Sequence, residues 1–292
     1  MDANAAPEAA SPPGDLGARG ASAPIEALKR HWPDYLKEAV GLMVFMIGAG
    51  AFTTLFEYPG SPVRMAISSD FLRHIALGCV MGVVTAGIIY SPWGQRSGAH
   101  INPAVTWSFY RLGKIDGWDA AFYTAFQFLG GMLAPVLLLW AIGEPFTHEK
   151  VRYATTQPGP LGGIVAFVAE FVISFILMLA LLLAINSERW KGAAGAVAAA
   201  LIALYIALES PLSGMSLNPA RSFGSALTAG RWTGIWLYFL APVAATLLAA
   251  EIYSLMLRRH WIDRREDQGA SRHSCIVCDF KEGPRYPVEG ET

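Results

Sequence analysis

The sequence predicts an all-α membrane protein with six transmembrane helices and two half-helices arranged as an inverted repeat. Three observations point there. Charge is scarce: 53% of the 292 residues are hydrophobic and 15% charged, with a mean hydropathy of +0.37, whereas a soluble domain carries about 25% charged residues. The remaining charge leaves six long stretches almost untouched. A ten-residue motif also occurs twice, with three of those stretches between its copies. Net charge is −1, from 22 basic and 23 acidic groups, so no nucleic-acid partner is expected. Three cysteines are too few for a disulfide scaffold.

The stretches are taken in chain order. Uncharged runs cover Ala39 to Phe56, Ile75 to Gln95, Ala120 to Gly143, Gly192 to Leu208 and Trp232 to Leu257, the last broken only by Glu251. Between Tyr153 and Ser187 the only charge is Glu170. A hydrocarbon core about 30 Å thick is crossed by roughly 20 apolar residues, so each stretch is one span. The fifth, from Gly192, is the shortest. No cleavable signal peptide is expected. Residues 1–34 read as a disordered cytoplasmic tail, with Pro33 and Asp34 opening the first helix. The channel-forming part is expected over residues 35–257, its halves at about 35–143 and 160–257, and residues 258–292 form a second cytoplasmic tail.

Lys and Arg set the orientation. With both termini cytoplasmic, 16 of the 22 basic residues fall on the cytoplasmic side. The other 6 are Arg64, Arg73, Lys150, Arg152, Arg221 and Arg231. The positive-inside rule favours this arrangement. Trp32, Trp93, Trp190 and Trp232 stand near span ends, as interfacial anchors do.

The repeat is the most informative feature. Residues 97–106 read SGAHINPAVT and residues 213–222 read SGMSLNPARS, identical at five of ten positions. Asn is a good N-cap, and Pro is tolerated at the first helical position because its missing N–H would be unpaired there. Asn102-Pro103-Ala104 and Asn218-Pro219-Ala220 therefore each start a helix. Three spans separate them, an odd number, so the copies enter from opposite faces of the bilayer. About nine or ten residues follow each Pro before polarity returns, a length of about 14 Å, or half the core. Two half-helices would meet N-terminus to N-terminus at the midplane, each end carrying roughly +0.5 of an elementary charge. Loops leading to them must line a cavity rather than face lipid. Asn102 and Asn218 would direct amide N–H groups at a permeating oxygen.

With these residues in place, the chain resembles the aquaporin (major intrinsic protein) family over roughly residues 35–257. Glu38 and Glu170 stand at matching places early in spans one and four, Gln127 with Gly130 and Gly131 resembles the third-span pattern, and residues 218–224 read NPARSFG. The resemblance implies a passive, homotetrameric channel in the plasma membrane (the cell inner membrane), without cofactor, passing water and small neutral solutes. It also implies that Glu38 and Glu170 are buried structural acids holding the loops before the half-helices. Taken alone, a carboxylate within a span marks a proton or cation site, so an ion-coupled transporter is the rival reading. Paired positive helix ends and Arg221 argue against cation coupling. An intramembrane enzyme is not expected: the spans hold no Ser/His pair, paired catalytic carboxylates or full metal set.

Arg221 follows Asn218 by three residues, where the first copy has Val105. An Arg facing lipid there would cost several kcal/mol, so it is expected to face the pore; the bland alternative is pairing with a loop carboxylate. It matches the Arg of the family's narrow filter. Counting from the Asn residues carries over Met215, Ile206 and Met81 as the other filter positions, with Val80 the alternative to Met81 because the loop SPWGQRSG departs from the usual pattern. Met, Ile, Met and Arg offer few hydrogen bonds and would suit a small amphiphilic solute, although flexible Met side chains also narrow an opening. Ser222, Ala226 and the Tyr238-Phe239 pair lean the other way, toward the water subgroup. Water is the first choice; a glycerol-, urea- or metalloid-type facilitator is the alternative. His273, Cys275 and Cys278 are weak metal candidates, with free thiols in a tail the plainer reading. Cys79 reads as packing and His100 as a hydrogen-bonding loop residue.

Overall fold

The computed structural model describes residues 16–258, with side chains over residues 24–256. Among the described residues there is no strand. Eight helices carry the architecture: α1 (Leu16–Glu57), α2 (Asp70–Tyr90), α3 (Pro103–Arg111), α4 (Gly117–Ile142), α5 (Gly163–Ile185), α6 (Ala194–Leu208), α7 (Pro219–Ala229) and α8 (Ile235–Arg258). Six are long and apolar enough to cross a bilayer, α6 reaching that length through the turn at Lys191–Ala193. The remaining two, α3 and α7, have 9 and 11 residues and are half-helices. Apolar side chains such as Val83, Trp140 and Ile164 stand exposed on the outside of the bundle, the surface a hydrocarbon solvent requires. Trp32, Trp93, Trp190 and Trp232 are also exposed.

The packing repeats with inverted order. Helix α1 packs on α4 and, in the second half, α5 packs on α8, while α2 and α6 pair across the divide. Each half-helix leans on the other half: α3 on α8 and α7 on α4. Small residues permit the closest approaches. A Cβ on Gly130 would collide with the Ala39 carbonyl of α1, and one on Gly131 would lie 2.6 Å from the Ala220 carbonyl at the start of α7. Adjacent glycines thus let α4 touch a span on one side and a half-helix on the other.

The first helix departs from the expected boundary. It begins at Leu16 and runs through Pro24 and Pro33, rather than opening at Pro33 and Asp34. Its N-terminal extension is held at its base: His31 Nδ1 lies 2.9 Å from Asp119 Oδ1, and the Tyr35 hydroxyl donates to the same oxygen at 2.5 Å. Lys37 Nζ bonds Asp34 at 2.5 Å. Tertiary contacts to α4 offset what the two prolines remove. His273, Cys275 and Cys278, and the tail that carries them, lie outside the described residues.

Candidate functional site

The two motif copies fold alike, residue for residue. Each begins with a short helical turn, Pro92–Ser97 or Ser210–Ser213, closed by a left-handed glycine, Gly98 (φ 87°) or Gly214 (φ 81°). Left-handed non-glycine residues follow at matched places: Ala99 and Ile101 in the first copy, Met215 and Leu217 in the second. Such residues cost of order 1 kcal/mol or more and persist where their surroundings over-determine them. A buried carboxylate supplies that constraint. Glu38 accepts the His100 and Ile101 N–H groups at 3.1 and 2.5 Å, and Glu170 accepts those of Ser216 and Leu217 at 2.6 and 2.8 Å. Both glutamates are fully buried. Gln127 donates a further bond to Glu38 at 2.8 Å, while Ser213 does so for Glu170 at 2.6 Å.

Two tyrosines complete the frame. Tyr123 of α4 donates to the Ser97 carbonyl at 2.7 Å, and Tyr238 of α8 donates to the Ser213 carbonyl at 2.6 Å. Sequence reasoning missed Tyr123 and read Tyr238 only as part of an aromatic pair. The signal was present: these tyrosines follow Asn102 and Asn218 by 21 and 20 residues.

At the centre the half-helices meet. Asn102 and Asn218 are the N-caps of α3 and α7, their side-chain oxygens accepting the Ala104 N–H at 2.9 Å and the Ala220 N–H at 3.0 Å. Their amide nitrogens cross over: Asn102 Nδ2 donates to the Leu217 carbonyl and Asn218 Nδ2 to the Ile101 carbonyl, both at 2.7 Å. The expectation had both amides serving a permeating oxygen. One N–H of each is spent on the opposite loop, and a carboxamide nitrogen carries two. The reciprocal bonds lock the helix ends together, tip to tip.

Outside this junction a cavity of about 580 Å³ opens, and Met81, Ile206, Met215 and Arg221 all line it. Four residues from three helices and a loop are thus brought together. Val80 does not line the cavity. Arg221 is only 9% exposed, and its Nη1 has no hydrogen-bond partner. Met215 is carried by a loop strapped from above: the Thr156 and Ser222 hydroxyls are 2.7 Å apart, Ser222 and Ser216 2.5 Å apart, and the Gly159 N–H donates to the Leu212 carbonyl at 2.8 Å. His100, on the opposite side of the junction, stacks on Phe109 with ring centroids 4.7 Å apart, and its Nδ1 meets the Thr106 hydroxyl at 3.2 Å.

One carboxylate has no counterpart in the first copy. Glu209, one residue past the fifth span, is buried, and neither of its oxygens is hydrogen-bonded. The nearest donors are committed elsewhere, the Ser213 hydroxyl to Glu170 and the Met215 N–H to Ser213. Burial, and then the nearby charge of Glu170, push the Glu209 carboxyl up to about 8. No cluster of three or more metal-ligating side chains occurs among the described residues.

The family model described as Major intrinsic protein matches residues 27–253. The chain is 32% identical over 211 residues to Aquaporin NIP1-2 of Oryza sativa subsp. japonica, spanning 71% of this chain and 69% of that one. It is 33% identical over 231 residues to Aquaporin TIP4-3 of Zea mays, spanning 76% and 87% respectively. Among solved structures, the aquaglyceroporin from Plasmodium falciparum superposes with a TM-score of 0.67 at 20% identity, over 79% of this chain and 98% of that chain, a likeness of fold.

Proposed function

The chain belongs to the major intrinsic protein family, and from that premise we propose how its residues select what passes. It is a channel and not an enzyme, and water and small neutral solutes are the class of cargo. The observation that carries the selectivity reading is the joining of two helix N-termini by Asn102 and Asn218 beneath a cavity lined by Arg221. Positive helix ends at one level, with a cationic side chain above them, disfavour cations and protons; this is the established explanation for aquaporin-type pores, applied to these residues. The unpartnered Arg221 Nη1 and the second N–H of each Asn offer donors to a passing oxygen. Met81, Ile206 and Met215 form the apolar remainder of the filter. Glu38 and Glu170 hold the loops and carry nothing across: the hydrogen bonds they receive come from the loops, Ser97, Ser213 and Gln127.

Water is the first cargo. A second reading, a facilitator of glycerol, urea or a metalloid acid, is favoured by the filter itself, since three of its four residues are apolar. The channel unit is assigned to residues 35–257, both termini to the cytoplasm, the membrane to the plasma membrane or cell inner membrane, and the assembly to a homotetramer. Support for the sidedness is the 16 to 6 division of basic residues.

Light scattering of proteoliposomes after osmotic shock with impermeant solute, glycerol or urea tests this reading. Faster shrinkage than empty vesicles is expected with impermeant solute, and re-swelling with glycerol or urea would favour the facilitator. Rates equal to those of empty vesicles for every solute would sink the open channel.

A further inference from the structure

The outer part of the 580 Å³ cavity has a charge unlike that of the chain. Besides Arg221, its wall includes Lys150 and Arg152, and its one carboxylate is Glu57. That carboxylate is already matched: Arg73 Nε and Nη2 donate to its two oxygens, each at 3.1 Å, from a side chain that is 1% exposed. Glu144 and Glu149 lie on the same connection but do not line the cavity. Lys150 and Arg152 therefore face one concave space without a matching acid in its wall, joined there by Arg221, which has Glu170 near it, on a protein whose net charge is −1. A cleft with low-dielectric walls focuses such a field.

Two further observations give this charge a purpose. Arg152, Tyr153 and Ala154 are three successive non-glycine residues in the left-handed region, with φ of 51°, 56° and 51°. Left-handed turns of that kind cost roughly 1–2 kcal/mol per residue, and their neighbours must hold them. Buried Val151, the Phe146–Tyr153 ring contact at 5.4 Å and the bond from the Thr155 hydroxyl to the Arg152 carbonyl at 2.9 Å do so. This strained turn is what presents Arg152 to the cavity. Arg152 Nε is spent on the Glu149 carbonyl at 2.7 Å, which orients the guanidinium. At the floor of the same cavity, Arg221 is more than nine-tenths buried with an unpaired Nη1. A buried charged donor is stabilised most by an anionic acceptor.

We propose that the cavity is an anion site: a small carboxylate seats an oxygen on Arg221 Nη1, Lys150 and Arg152 close over it, and the bound anion plugs the mouth of the pore. Only the plugging clause rests on the channel reading above. Lys150 and Arg152 come from a single connection and Arg221 from a half-helix, so the ligand bridges two segments that already pack on each other, the Thr156–Ser222 hydroxyl pair included.

The probe is malonate, titrated calorimetrically into the full-length protein in detergent at pH 7 and low salt. Binding is expected, weakening by about tenfold or more as the screening length falls from about 30 to 8 Å. The double substitution Lys150→Ala and Arg152→Ala should weaken it at least as much. Absence of binding, or binding indifferent to both salt and the double substitution, overturns the anion site. In proteoliposomes with malonate on both faces, water flux of the unmodified protein should fall severalfold relative to sodium chloride of equal osmolarity and ionic strength. The double variant, compared with its own rate in sodium chloride, should not slow. Calorimetric binding without slowed flux overturns the plug. If flux in sodium chloride already equals that of empty vesicles, the channel reading fails, and calorimetry still decides the anion site.

Discussion

The two re-entrant segments, residues 97–111 and 213–229, share one frame and differ in what they hang on it. In both, a buried glutamate receives two successive N–H groups, a tyrosine binds the carbonyl of the leading serine, and a left-handed glycine turns the chain. The groups set on that frame diverge. Val105 in the first copy corresponds to Arg221 in the second, Ala99 to Met215, and His100 to Ser216. The first copy packs its Val105 and Phe109 with Tyr35 and Tyr123, whereas the second opens onto the charged cavity. Duplication thus explains the scaffold, and on the proposed reading the departures from it carry the selectivity. Identity between copies and difference between copies mean different things in this molecule.

The frame is tested first, because its loss should have the largest effect. Glu38→Ala and Glu170→Ala each leave buried N–H donors unsatisfied, at about 1–3 kcal/mol apiece. Each should lower the thermal stability of the purified protein by about 3 kcal/mol or more, and by similar amounts if the two frames are equivalent. Circular dichroism melting in detergent reads this directly. A severe loss for one and none for the other would break the equivalence. Flux that survived in a well-folded Glu38→Ala protein would place that carboxylate outside the scaffold altogether.

A second substitution turns one copy toward the other. Arg221→Val gives the second segment the side chain of Val105. The protein should still fold, because the Arg221 backbone N–H, not its side chain, caps onto Asn218 at 3.2 Å. What should change is selectivity: larger solutes or cations should pass, with glycerol or urea flux rising severalfold relative to water flux. Vesicle re-swelling, together with a cation-sensitive dye, reads both. Unchanged selectivity would put Arg221 outside the filter and leave the cavity, rather than the guanidinium, to explain discrimination.

Much of this frame is legible in the sequence because polar groups are conspicuous in apolar spans. Glu38 and Glu170 stand out for that reason, and the duplicated Asn-Pro-Ala marks both helix starts. Arg221 stands out because nothing like it occurs at position 105. Other features leave no such trace. The start of α1 is hidden by Ala, Pro and Gly, and the contact of its His31 with Asp119, 88 residues away, leaves no trace in spacing. Tyr123 looks like any tyrosine in a span until its backbone partner is known. The left-handed turn at Arg152–Ala154 contains no glycine to announce it. Nor does spacing say that each Asn amide crosses to the opposite loop, since that contact exists only once both halves have packed.

The smallest expected effect concerns the one acid that the second segment has and the first lacks. Four residues before Ser213 stands Glu209; four before Ser97 stands the exposed Trp93. Burial first, and Glu170 second, push the Glu209 carboxyl up to about 8, whereas an unfolded chain leaves a glutamate near about 4.3. Between those two values the folded protein binds the extra proton, so unfolding releases it and stability falls as pH rises. The contribution is complete below the unfolded value, shrinks through the neutral range and is gone above the folded one. Glu209→Gln keeps the neutral form at every pH. Its melting temperature should match that of the unmodified protein near pH 4.5 and exceed it increasingly toward pH 9. A difference that stays flat across that range would mean that Glu209 is already ionised in the folded protein. The second segment would then hold an ionised, buried Glu209 with no counterpart in the first, and the asymmetry between the segments would be electrostatic at its root rather than confined to the filter.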